Sequence, residues 1–262
     1  MLRASSVFAC CFAWGASAAA AVECSAITSR DTRYTVCRVD LRKDRLQLFL
    51  YDDAGKAFNS FRRVSGALAA RDEQLAFAMN AGMYREDFSP VGLMVSGGHQ
   101  IHRLNLASGS GNFYMKPNGV FVLLSSGARI VETSAYSTLA EPAQLATQSG
   151  PLLLQDGRIN QVLNPQGTSR RIRNGVGVVS PEQVAFAISD DPVTFYQFAL
   201  LFRDTLHCQA ALYLDGNVSS LYSSSLGRND ELVPLGPIFA VTVGRATAAG
   251  PGPPGSSLPP PH

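Results

Sequence analysis

The sequence predicts one mixed α/β (α+β) domain, with mixed β-sheets, several hairpins and a few packed helices. Three observations carry this. Short apolar runs recur between turn pairs such as Gly-Gly and Asp-Gly, two stretches place apolar residues at helical spacing, and no linker divides the middle of the chain. The 262 residues, 46% hydrophobic and 16% charged, suffice for a substantial core. No period of 20 to 50 residues repeats, which argues against solenoids and propellers.

The N-terminus reads as a leader. Arg3 supplies a positive start, "VFACCFAW" an apolar stretch and "GASAAAA" small-residue cleavage sites, so residues 1–21 are expected to be removed as a signal peptide. A periplasmic or secreted protein of bacterial type follows, with no transmembrane segment after cleavage, because no later run reaches the ~20 apolar residues of a spanning helix. Cys24, Cys37 and Cys208 then remain. In an oxidising compartment Cys24 with Cys37 is the preferred bridge, pinning the mature N-terminus to the first strand, with Cys208 a buried thiol.

Next, "YTVCRVDL" and "RLQLFLYDDAG" read as a first hairpin, "SFRRVSGALAARD" as a helix and "QLAFAMNAG" as a strand stopping at Asn80. "VGLMVSGGHQIHRLNL", "GVFVLLSSGARIVET", "PLLLQDGRI" and "NGVGVVSPEQVAFAISDD" each read as two strands around a turn. "VTFYQFALLFRDTL" is helical in spacing and leads into "ALYLDGNVSS", whose Asp-Gly is a strong turn signal; "PIFAVTV" supplies a last strand. The domain is therefore placed at 24–245. Residues 246–262, rich in Pro and Gly, are expected to be disordered.

The formal net charge of +2 gives no electrostatic reason to expect nucleic acid. Three strand ends share one design, an apolar run closed by a polar group and turn residues: Asn80, Asp190 and Asp215. A helix between the last two implies a crossover between parallel neighbouring strands, which would bring the two carboxylates to the same edge. The competing role for Asp190, Asp215 and Arg173 is an internal ion pair. His99, His102 and His207 share no metal-ligand spacing, so no cofactor is expected; a divalent cation on Asp190, Asp215 and Asn80 would have oxygen ligands but no calcium-loop spacing.

"MNAGMY", "SPVGLMV", "ATQSGPLLLQDG", "RIRNGVGV" and "LYLDGNVSS", in this order, resemble the phosphodiester glycosidase family, named for an N-acetylglucosamine-1-phosphodiester alpha-N-acetylglucosaminidase. The resemblance covers roughly residues 35 to 243. It places an "NGGYF"-like signature on Asn80 to Tyr84, a Ser-Gly-Pro block on Ser149, Gly150 and Pro151, and an Arg-x-x-x-Gly block on Arg173 and Gly177. An Asp-Gly-Gly-Gly-Ser signature falls on Asp215, Gly216 and Ser219, where Asn217 and Val218 replace two glycines and narrow the loop's freedom.

The resemblance implies an exported hydrolase acting on a sugar phosphodiester or envelope glycan. Asp215 and Asp190 are the candidate catalytic carboxylates for oxocarbenium-like chemistry. Arg173, with Arg171 alternating onto the same face, is the candidate phosphate clamp. Asn80, Tyr84, Ser149, Gly150, Gly216, Asn217 and Ser219 are candidates for binding sugar hydroxyls, water or phosphate. A non-catalytic periplasmic glycan-binding or envelope-associated protein, and a phosphodiesterase breaking the phosphorus–oxygen bond, are the alternatives.

Overall fold

The computed structural model describes residues 22–231 and 233–244. The expected leader at 1–21 and tail at 246–262 lie outside the described residues. The chain opens with β1 (Glu23–Ser29) and β2 (Thr32–Asp40), then β3 (Arg45–Phe49), α1 (Phe61–Ala69) and β4 (Glu73–Asn80). Two hairpins follow, β5 (Met94–Ser96) with β6 (His99–His102), and β7 (Gly119–Leu124) with β8 (Gly127–Glu132). Next come β9 (Leu145–Ser149), β10 (Leu152–Gln155), β11 (Arg158–Ile159), β12 (Asn174–Ser180) and β13 (Gln183–Ser189). After α2 (Phe195–Leu200) and a wider π-helical turn over Leu201–Thr205, β14 (Ala210–Tyr213), β15 (Leu221–Ser223), β16 (Arg228–Asn229) and β17 (Ile238–Gly244) complete the fold.

The strands form a seven-stranded sheet, β1-β2-β13-β12-β14-β10-β11, and two five-stranded sheets, β16-β15-β4-β17-β3 and β6-β5-β9-β7-β8. Apolar side chains between the sheets make the main core, where Phe121, Phe186 and Phe239 meet ring to ring at 5.1 to 6.5 Å. Each such ring contributes roughly 1.5–3 kcal/mol by leaving water. On the far side of the seven-stranded sheet, α2 and the turn after it bury Phe198 and Phe202 against Ala185 and Ala211. Helix α1 starts where the Ser60 side chain accepts the Arg63 N–H, and its Phe61, Val64 and Leu68 stripe packs on Leu75 and Ile238. At the start of α2, Thr194 and Gln197 cap each other reciprocally.

The expected hairpins at 91–106, 119–133, 151–159 and 174–191 all form. Gly97 and Gly98, both at positive φ, make the turn between β5 and β6. Cys24 and Cys37 face each other across β1 and β2 and are joined by a disulfide; Cys208 is a buried free thiol.

Three local expectations are corrected. β2 and β3 do not pair, because Asp40 to Asp44 carry the chain from the seven-stranded sheet into another. β13 and β14 are not neighbours; each is antiparallel to β12, which lies between them, so their ends point the same way without a parallel pair. Finally, Asp215-Gly216 is not a hairpin turn. Neither residue has positive φ, and the segment after β14 crosses to the sheet in which β15 pairs with β4.

Candidate active site

At the end of β4, Asn80 is buried beside the start of β12. Asn174 Nδ2 donates to the Asn80 backbone oxygen and to its Oδ1, each at 2.9 Å, and Asn80 Oδ1 also accepts the Ser220 N–H at 2.8 Å. Asn174 Oδ1 in turn accepts the Asp215 N–H at 3.1 Å and lies 3.4 Å from the Ser219 hydroxyl. Two amides thus fasten the crossing segment 215–220 to both sheets. Asn80 Nδ2 is buried with no hydrogen-bond partner.

Asp215 sits two residues beyond β14 and is only 7% exposed. Burial raises its pKa above the ordinary carboxylate range, against the pull of the backbone N–H groups of Asn217, Gly216 and Val218, which favour the ionised form. The Asn217 N–H donates to Asp215 Oδ1 at 2.8 Å. Gly216 is a steric requirement, since a Cβ there would lie 2.1 Å from the Tyr213 hydroxyl oxygen. Asp215 and the exposed Asn217 line a hollow of about 480 Å³ with Met83, Tyr84, Arg85 and the 110–114 segment. Tyr84 donates to the Pro234 carbonyl at 2.6 Å, and burial followed by the Asp215 charge pushes its hydroxyl up to about 12.

Asp190 and Arg173 do not line that hollow. Asp190 is held by Arg228 Nη1 at 2.6 Å and by the Thr35 hydroxyl at 3.2 Å, an ion pair between β13's end and β16. Arg173, 1% exposed, lies on the α2 side of the same sheet, donating to the Val193 and Ser169 carbonyls with its guanidinium 3.6 Å over the Phe195 ring. Burial lowers its pKa, and its Nη1 has no partner. Arg171 is exposed and donates to the Arg170 carbonyl, so the two arginines do not form one clamp. The expected constellation does not form as one cluster: the sheet separates Asp190 from Arg173, whereas Arg173 and Asp215 both act on the Tyr213 hydroxyl. The reason is local: Ile172 joins the inter-sheet core, which turns Arg173 to the opposite face.

The other predicted residues support the hollow from behind. The Ser149 hydroxyl donates to the Leu214 carbonyl at 2.7 Å, and the Ser219 hydroxyl to the Asp215 carbonyl at 2.7 Å. Gly150 packs against Asn118 and the Phe113 carbonyl, where a Cβ would stand at 2.6 and 2.8 Å. The oxygen donors proposed for a divalent cation are not gathered: Asp190 is on Arg228, and Asn80 Oδ1 already accepts two N–H groups.

Sequence reasoning missed Asn174, Arg85 and Asn112. Asn174 stood inside the "RIRNGVGV" block, next to the arginine that drew attention, and Arg85 directly follows the "MNAGMY" block. Asn112, in a short 3-10 turn, carried no signal, because a loop far away in sequence reveals its neighbours only on folding.

The pattern of the family described as phosphodiester glycosidase matches residues 73–235. The "Uncharacterized protein YigE" of Escherichia coli (strain K12) is 36% identical over 184 residues, which is 70% of this chain and 72% of that protein. Among solved structures, the catalytic domain of zebrafish N-acetylglucosamine-1-phosphodiester alpha-N-acetylglucosaminidase, auto-inhibited by its pro-peptide, is similar in fold. Its TM-score is 0.59 at 14% identity, over 84% of this chain and 81% of that one. A hypothetical protein from Synechocystis gives 0.52 at 14% identity, over 84% of this chain and 61% of its own. Motif order, fold and matched length agree, and the chain belongs to the phosphodiester glycosidase family.

Proposed function

We propose that the protein is an exported hydrolase that cleaves a sugar 1-phosphodiester in the hollow around Asp215. The observation that carries this is a nearly buried carboxyl of raised pKa, with an orienting backbone, opening into a hollow that also holds Arg85, Tyr84 and Asn217. In this scheme the phosphate leaves the anomeric carbon with the bonding electrons, so little acid assistance is required. Asp215, ionised, takes a proton from the attacking water, whose oxygen forms the new bond to that carbon. The products are the free sugar and a phosphate monoester.

Arg85, which lines the hollow, takes the place of Arg173 as the cation in reach of the phosphate, and Asn217 and Tyr84 orient sugar oxygens. Asp190 keeps the two sheets aligned through Arg228. Arg173 supports the floor by stacking on Phe195 and, at 5.4 Å, on Tyr213. The scheme calls on no metal or organic cofactor. Export is supported by the leader-like first 21 residues and by the Cys24–Cys37 bridge, which suits an oxidising compartment. Among the described residues no helix is long and apolar enough to cross a membrane.

The test is hydrolysis of a panel of sugar 1-phosphodiesters in ¹⁸O-labelled water. The proposal expects label in the sugar and loss of turnover in Asp215→Asn. Label in the phosphate would instead identify phosphorus–oxygen cleavage, and binding without turnover would favour the glycan-binding alternative.

A further inference from the structure

Beside the Asp215 hollow lies a second one of about 380 Å³, and the two share Arg85 and Val91 as a common wall. The second is lined by Arg85, His102 and Arg103 against Leu104 and Leu106, with no carboxylate in its lining. Among the described residues neither arginine is in an ion pair: Arg85 donates to the Pro90 carbonyl and the Ser89 hydroxyl, both neutral. Arg85 favours the charged form of Asp87, but that carboxylate accepts the Ser89 N–H and hydroxyl and lines neither hollow. Outside that lining, Lys116 Nζ donates to the Leu106 carbonyl at 3.3 Å.

This wall is held in place by a buried group. Residues 103–106 belong to no strand, yet Gln148 fixes them: its Oε1 accepts the Asn105 N–H at 2.9 Å and its Nε2 donates to the Asn105 carbonyl at 2.7 Å. The same Oε1 accepts the Leu93 N–H at 3.0 Å, tying the segment to the residue that precedes β5. His102 Nδ1 bridges the Gly92 and Arg103 carbonyls at 2.9 and 3.1 Å, which fixes the ring at the hollow's edge. Cations on an anchored backbone, in no ion pair among the described residues and adjoining the first hollow, make a receptor for an anion.

We propose that this second hollow is a phosphate subsite, so that the preferred substrate carries a further phosphate on the acceptor side of the scissile phosphodiester. Placing that group on the acceptor side rests on the hydrolase function proposed above; the subsite itself does not.

The experiment compares 1,3-propanediol bisphosphate with propyl phosphate by calorimetry at low salt, on the wild-type protein and on Arg103→Gln. Arg103 is exposed, and no described side-chain bond is lost with it, so the variant should fold; its melting temperature checks this. The bisphosphate should bind about tenfold more tightly than the monophosphate. Arg103→Gln should bring the two within about twofold of each other while leaving propyl phosphate unchanged, and ~0.5 M salt should erase the difference. Equal affinities in the wild type, or a preference that survives Arg103→Gln, would overturn the subsite. The functional proposal is read separately. A bisphosphate preference without turnover of any sugar phosphodiester sinks the hydrolase and keeps the subsite, and turnover without the preference does the reverse.

Discussion

Asn174 Nδ2 holds both oxygens of Asn80, one from the backbone and one from the side chain, at the same 2.9 Å. This pair joins β4 of one sheet to β12 of another at the point where the segment carrying Asp215 crosses between them. Asn174→Ala leaves the Asp215 N–H and part of the Asn80 amide without partners in a dry site. The expected cost is about 2–4 kcal/mol of stability, read by urea denaturation, with kcat falling more than KM rises.

Asp215→Asn should abolish turnover and also stabilise the fold. Burial raises the folded-state pKa, so the stabilising contribution of this group is complete below the unfolded value of ~3.9 and lost as pH rises through the raised folded value. At neutral pH the wild type thus carries a penalty that the amide removes, about 1 kcal/mol or ~2–4 °C in Tm for a domain of this size. The advantage should shrink at pH 4. A variant that loses Tm at pH 7 contradicts this account.

The same shift sets the acidic limb of the rate profile. In the proposed scheme Asp215 acts ionised, so kcat/KM should decline as pH falls through a value above ~3.9 and level off above it. A profile that instead rises towards acid would show that the carboxyl works protonated.

For Asp190 the expectation is a structural signature. Asp190→Asn and Arg228→Gln should each cost roughly 1–3 kcal/mol, and the double variant should cost clearly less than their sum, since both remove one partly buried pair. Their kcat should stay within a few-fold of wild type. Full inactivation with unchanged Tm would return Asp190 to the catalytic machinery.

Gly216→Ala should be damaging because its methyl would meet the Tyr213 hydroxyl oxygen, while the next atoms, the Tyr213 Cζ and the Ile172 carbonyl oxygen, are at 3.3 Å. A loss of about 1–3 kcal/mol and of most activity is expected. Tyr213→Phe removes the clashing oxygen and should restore part of both in the double variant. Absence of any rescue places the clash elsewhere.

Much of the fold was legible because hairpins are local. Gly97-Gly98 and Asp156-Gly157 declare their turns within a few residues, and the Phe61, Val64 and Leu68 spacing declares α1. The pairing of β4 with β15 and β17 had no such signal, since those partners lie far apart in the chain. At the site, Asp215, Asn80, Tyr84 and Asn217 could be named from their motif blocks. Asp190 and Arg173 could not be placed, because which face of a sheet a side chain takes depends on where its apolar neighbour is buried. Ile172 packing into the inter-sheet core decides that for Arg173.

The bonds that build the hollow span long stretches of chain: 94 residues from Asn80 to Asn174, 140 from Asn80 to Ser220 and 41 from Asn174 to Asp215. A polypeptide still emerging from the ribosome, or threaded unfolded through a translocation pore, holds no competent centre until its final third has joined the first. If the proposed hydrolase holds, catalytic power should therefore switch on late and all at once, with nascent or clipped forms silent.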